Sequence, residues 1–403
     1  MAIQSSGVIG LQDIQDEFGG SNPIGLDEYY SSDTGVPASG VIGLDDFYNT
    51  SSGVNMKVMV HTLNTTSVVL YTKSVTEAIV IDWGDGTSDT TSVGTTVIYT
   101  HVYPSLTTDY DVEFYGRGVL KFGNKLSNTE WKNVKVWGSN FTPTSCVTMF
   151  YNCRELVADA TDSADFPTGN VKSFVQMFRS AREFNGDISG FDTSSATNMK
   201  QMFREAYKFN QDISSWDVSS NKNMNTMFFQ ARVFNQPLDS WDVSSVTDMG
   251  QLFNNAHVFN QPLNSWDTSS VTDMFSMFYN NEVFNQDISS WNTSSVTTMN
   301  RMFSGAYLFN QPLDSWDVSS VVDMRWMFAY TLVFNQDISS WDVSSVTDVG
   351  FILFEAGAFN QDLSSMVFPL MTNGNASIVY SSNTLMVNAY MPYWGTVPTQ
   401  YTI

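Results

Sequence analysis

A tryptophan recurs at Trp216, Trp241, Trp266, Trp291, Trp316 and Trp341, always 25 residues after the last. Aromatic rings stacked at fixed intervals could bind sugar rings face to face. Beside them Asp217, Asp242, Asp267, Asp317 and Asp342 supply carboxylates of the type that cleave glycosidic bonds in pairs. Repetition argues against that chemistry, because an active site is a unique place and these acids recur in most units. Turn capping and solvation account for them. A large aromatic at a strict repeat position belongs to a core, where burying each one contributes a few kcal/mol.

The other reactive groups point the same way. The Asn of the recurring Phe-Asn pair reads as a ladder that satisfies backbone groups of neighbouring units. Cys146 and Cys153 fall in apolar columns of the repeat and read as buried structural thiols. His61, His101 and His257 are the only histidines, and no Ser/His/Asp arrangement, zinc spacing or phosphate loop accompanies them. Asp82 and Asp85 could hold calcium, but an Asp-Gly turn calls for the same residues. The expectation is a protein that is not an enzyme and has no cofactor.

The elements that position these residues are repeats. Phe-Asn recurs at Phe184, Phe209, Phe234, Phe259, Phe284, Phe309, Phe334 and Phe359 without one insertion, the signature of stacked coils. Within a coil, Met249, Leu252, Phe253, Ala256 and Phe259 fall at i, i+3, i+4, i+7 and i+10, which predicts a short helix capped by Thr247 or Asp248. A short parallel strand is expected around residues 235–241. The predicted fold class is a mixed α/β repeat solenoid, leucine-rich-repeat-like with 25-residue coils, over residues 139–366. Its core is assigned to Phe209, Trp216, Phe234, Trp241, Phe259, Trp266, Phe284, Trp291, Phe309, Trp316, Phe334 and Trp341. Positions that change from coil to coil, namely Tyr207, Lys208, His257, Tyr307, Leu308, Tyr330 and Leu332, form the candidate recognition surface.

Residues 54–138 alternate β-rich runs with turns and predict a small all-β sandwich. Residues 367–403 drop the repeat yet stay apolar, as a C-terminal cap would. Residues 1–53 hold eight acidic residues, no Lys or Arg, and short Gly-led units such as Gly10-Leu11-Gln12-Asp13-Ile14 and Gly43-Leu44-Asp45-Asp46-Phe47. Segments this short gain order by docking onto a larger partner. Charge excludes more. With 41 acidic and 18 basic residues, net −23, no basic stripe is available for nucleic acid or for anionic lipid. No apolar run spans a bilayer, and the N-terminus lacks the pattern of a secretory signal.

The unit Met-Phe-x-x-Ala-x-x-Phe-Asn-Gln-Asp-Ile-Ser-Ser-Trp-Asp-Val-Ser-Ser-Val-Thr-Asp-Met resembles the BspA-like leucine-rich-repeat surface proteins, with coil 202–224 departing at Asn221-Lys222-Asn223. Trp83-Gly84-Asp85-Gly86-Thr87, followed by Tyr99-Thr100-His101-Val102-Tyr103, resembles a PKD-type immunoglobulin-like domain. These resemblances imply surface display and adhesion. The stretch Met1–Ile9, with Glu17-Phe18-Gly19-Gly20, Leu26–Tyr30 and Ser39–Tyr48, looks like the leader of tailed-phage virion proteins. That resemblance implies a virion-anchoring segment over residues 1–53, through Ile9, Leu11, Ile14, Phe18, Leu26, Tyr29, Tyr30, Leu44, Phe47 and Tyr48. The expected protein is a phage tail fibre or other appendage, assembled in the host cytoplasm and localised to the virion. Its expected partners are other virion proteins and a host-surface glycan or protein, with no nucleic acid and no membrane, and self-association left open. A bacterial surface adhesin is the alternative, and a polysaccharide depolymerase the enzyme-class reading that the repetition disfavours.

Overall fold

A computed structural model describes residues 56–61, 67–74, 77–104, 108–122, 131–139, 141–370 and 393–394. The candidate anchoring residues, all within 1–53, lie outside the described residues. The N-terminal part is built from β1 (Met56–His61), β2 (Ser67–Ser74), β3 (Val80–Asp82), β4 (Ser88–Thr90), β5 (Thr96–Val102), β6 (Asp109–Phe122), β7 (Trp131–Val136), β8 (Phe141–Pro143) and β9 (Val157–Ala158). The 14-residue β6 serves two layers. Its first half pairs with β1 and β3, its second half with β2 and β8. The strand changes layer at Gly116, whose φ of +109° and 2.1 Å approach of a notional Cβ to the Ala78 carbonyl oxygen leave room for no other residue. Between the layers lie Leu70, Ile81, Trp83, Val112, Phe114, Leu120, Phe122 and Trp131, all buried.

No linker separates this sandwich from the repeats. The Phe122 N–H donates to the Met149 carbonyl (2.8 Å), β7 pairs in parallel with β9, and the Phe122 ring stacks on Phe150 at 4.7 Å. One continuous core runs from Met56 to Phe368. The sandwich therefore closes the open N-terminal end of the solenoid, where unpaired backbone and apolar rings would otherwise meet water.

The coils overturn the expected helix. Among the described residues there is no α-helix, and the only helical element is a 3₁₀ turn at Ser163–Asp165. In the coil at Met199–Ala206 the backbone follows consecutive β-turns instead. The N–H groups of Met202, Arg204 and Ala206 close turns onto the carbonyls three residues back. The intervening N–H groups of Met199, Gln201, Phe203 and Glu205 donate to Asn223, Asn225, Met227 and Phe229 of the next coil at 2.8–3.0 Å. An α-helix would send every one of these donors to its own i−4 carbonyl. Two residues per coil also take positive φ, such as Gln201 (59°) and Glu205 (60°), as the third position of a type II turn requires and a right-handed helix forbids. The same alternation recurs down the stack.

The expected strand is displaced as well. Residues 235–241 contain no strand, and the parallel bridges between coils fall at Ser173, Asn198, Asn223, Asp248, Asp273, Thr298, Asp323 and Asp348, each joined to the next. The fold is thus a β-sandwich continued by a solenoid of turns joined by an inter-coil ladder, and the mixed α/β class is corrected. Asp248, proposed as a helix cap, caps a turn: its Oδ1 accepts the Gly250 N–H at 3.0 Å.

Candidate recognition face of the solenoid

Each coil turns two unlike sides to solvent, divided by the core. The Phe residues assigned to the core are fully buried, and the Trp rings are exposed by no more than 4%. Phe203, Phe228, Phe253, Phe278 and Phe303 form a second column inside the first. Successive rings of this column lie 5.7 Å apart, and each ring meets its own coil's Phe-Asn ring at 3.9–4.2 Å. Each Trp donates its indole N–H to a carbonyl one coil back, from Trp216 to Ile188 at 3.1 Å through Trp341 to Leu313 at 2.9 Å. With the N–H committed and the rings enclosed, the Trp column has no open face for a sugar.

The side that follows each Phe-Asn pair carries recurring structural residues. The Asn Oδ1 accepts the backbone N–H of the equivalent Asn in the next coil at 2.8–3.0 Å, from Asn185 to Asn335. The carboxylates beside the Trp residues close turns. In Asp217, Asp242 and Asp317, Oδ1 accepts both the N–H (3.0 Å) and the hydroxyl (2.6 Å) of the Ser two residues on. The serine hydroxyl and then its N–H hold the Asp217, Asp267 and Asp317 carboxyls below the usual carboxylate range. A general acid for glycoside cleavage needs its pKa raised, so these groups are ionised acceptors suited to turns.

The run of turns forms the other side, and there the residues change from coil to coil. Every Lys and Arg of the coils from Lys172 to Arg325 lies on this side or at its border, whereas the Asp-Ser turns opposite carry acids and no cation. Tyr207, His257, Tyr307 and Leu332 share one column of the run, Lys208 and Leu308 the next, and Tyr330 occupies a positive-φ position three residues before Val333. Lys208, Tyr307, Leu308, Tyr330 and Leu332 are exposed, Leu332 by 52%; Tyr207 and His257 are half-buried, the latter 3.5 Å from Glu282. The fold therefore gathers all seven candidate surface residues on one side, although 125 sequence positions separate Tyr207 from Leu332.

Sequence reasoning missed their closest partners. The Arg182 and Arg232 guanidiniums lie over the Tyr207 ring at 5.1 and 4.1 Å, and Arg204 over Phe229 at 4.5 Å. The signal was available: Arg182 and Arg232 stand one repeat before and one repeat after Tyr207. Trp326, also missed, stacks on Phe351 at 4.5 Å and meets Tyr330's neighbour Phe354 at 5.4 Å.

Residues 144–266 and 252–367 both match a family described as "Mycoplasma protein of unknown function, DUF285", and together they span more than half of the chain. The chain belongs to the DUF285 family. DUF285 is a repeat family related to the BspA-like repeat proteins, and its periodic Phe and Trp positions are the core columns described above. No curated protein and no solved structure matches the chain.

The remaining candidates are structural. Cys146 and Cys153 are buried without a disulfide, and burial pushes the Cys146 thiol far up. Asp85 accepts the Thr87 N–H and hydroxyl through Oδ1 and meets His101 Nε2 at 2.9 Å through Oδ2, while Asp82 Oδ1 accepts the Gly84 N–H. Burial works to raise the Asp85 pKa, but the Thr87 and His101 hydrogen bonds outweigh it and leave it lowered. Among the described residues no group of three or more His, Cys, Asp or Glu side chains could hold a metal ion, and no helix is long and apolar enough to cross a membrane.

Proposed function

We propose that this protein is a non-enzymatic recognition scaffold carried on a phage virion as a tail fibre or other appendage. Residues 1–53 would attach to other virion proteins, and the solenoid would contact a glycan or protein on the host surface. The observation that carries the recognition role is the two-sidedness of the coil. On one side the Asn ladder and the Asp or Asn turn caps return in nearly every coil, and on the other the residues vary while the backbone stays the same. A rigid scaffold bearing side chains free to change is what recognition by an extended face requires. The virion role is supported by the leader-like sequence of residues 1–53.

Deleting the codons for residues 1–53 should remove the protein from purified particles while leaving the soluble chain in the lysate. Particles that keep it would overturn the anchor. Fluorescently labelled chain should bind host cells saturably; absence of binding at micromolar concentration would overturn the recognition role. A bacterial surface adhesin is the second reading, favoured by membership of a family related to BspA-like proteins. A neighbourhood of tail and capsid genes around the coding sequence would decide against it.

A further inference from the structure

The variable side changes chemistry along its length. In the first coils it is cationic, centred on Tyr207, whose ring has Arg182 of the preceding coil at 5.1 Å and Arg232 of the following coil at 4.1 Å. Neither guanidinium makes a hydrogen bond or ion pair with any described residue, and the next residue, Lys208, is exposed. Of the neighbouring acids, Glu205 is engaged by the Ser180 hydroxyl (3.0 Å) and Arg204 Nε (3.2 Å), and Glu183 is exposed. The ring fixes the two forks: Arg232 is exposed, while half-buried Arg182 has its Nε enclosed without a partner and can offer only its terminal N–H groups. They stand two coil rises apart, about 10 Å at ordinary strand spacing. The following coils replace cations with the half-buried amides Asn255 and Asn280, and then with the exposed ring of Tyr307.

Resting on the recognition role proposed above, we propose that Arg182, Tyr207, Lys208 and Arg232 bind the carboxylates of an acidic polysaccharide lying along the solenoid axis. Charge complementarity selects the ligand. Two planar forks match two planar carboxylates, each taken bidentately. A chain of net charge −23 repels a densely charged polymer such as nucleic acid or a run of glutamates, but tolerates one carboxylate for every sugar or two. The amides beyond the cations suit sugar hydroxyls, and the Tyr307 ring suits the apolar face of a pyranose.

The test is calorimetric titration of the full chain with three probes at low salt: alginate oligosaccharides, the same oligosaccharides with carboxyls reduced to alcohols, and poly-L-glutamate. Alginate should bind, the reduced form at least tenfold more weakly, and poly-L-glutamate more weakly than alginate. The double variant Arg182→Gln with Arg232→Gln should bind alginate at least tenfold more weakly, with a cooperative unfolding transition within a few degrees of wild type. Rising salt should weaken wild-type binding, since the charges sit at the surface. Absence of alginate binding, equal binding of the reduced form or of poly-L-glutamate, or full binding by the double variant would overturn the proposal. The same double variant applied to host cells separates the two readings. Cell binding that survives both substitutions leaves the recognition role standing and removes this site.

Discussion

Asn285 and Asn360 occupy the same position of their coils, yet their replacement by alanine should have unlike consequences. Asn285 Oδ1 accepts the backbone N–H of Asn310 at 2.9 Å and Gln311 Nε2 at 3.0 Å, both from the next coil. Removing it leaves a half-buried backbone donor without a partner, at a cost of about 1–3 kcal/mol. Asn360 belongs to the last full coil, and its side chain accepts nothing from the described residues. Its loss should cost close to nothing. For a body of this size about 1 kcal/mol shifts the melting temperature by roughly 2–4 °C. Asn285→Ala should therefore lower the transition by several degrees, while Asn360→Ala leaves it in place. Calorimetry reads the shift, and amide exchange at Asn310 should accelerate in the first variant only. Equal shifts in the two proteins would refute the ladder as the source of coil-to-coil stability.

Four further outcomes follow from the core and the turns. Trp291→Phe deletes the indole N–H that meets the Leu263 carbonyl at 2.9 Å and leaves a small void, so it should destabilise by about 2–4 kcal/mol on denaturant titration. The Asp217, Asp267 and Asp317 carboxyls have folded-state pKa values lowered by the serine hydroxyl and N–H, so their stabilisation is present above the unfolded carboxylate pKa near 3.9 and lost as pH falls through the lower folded values. Thermal stability should then stay level from neutral pH down to about 5 and fall below 4. Asp273 works against this trend. Burial raises its pKa, the Phe275 N–H opposes the rise and Asp248 adds to it, so Asp273→Asn, which keeps the acceptor for Phe275, should raise the melting temperature at pH 7. Cys146 and Cys153, both enclosed, should react with a thiol reagent only after unfolding. Stoichiometric labelling of the native protein would contradict their burial.

The period made the core readable, because a residue that returns every 25 positions to the same neighbours must face the same way each time. It could not reveal the backbone path between core residues. Met249, Leu252, Phe253 and Ala256 sit inward at spacings of three and four whether the chain is an α-helix or a run of β-turns, since both reverse direction on that scale. What separates the two is the destination of each N–H, and the partner 24 residues away is invisible to a local pattern. A clue lay in Gly305, Asn255 and Asn280, residues tolerant of positive φ at one repeat position; Tyr330 and Glu355 at the same position masked it. The variable side was legible as variation, but its sharpest grouping was not. Arg182 and Arg232 meet at Tyr207 only because one coil rises on the next.

The ladder that replaces the helices also sets how the solenoid would carry force. Its backbone hydrogen bonds run along the stacking axis, so a pull between the sandwich and the far end loads one row of bonds at a time, from the last coil inward. Bonds loaded in sequence yield in sequence. Each coil that peels away turns one rise of about 5 Å into 25 residues of slack, about 80 Å of extended chain. Seven such releases would lengthen the molecule many times over while the aromatic columns of the remaining coils stay closed. Under tension each coil would then be a separate increment of length.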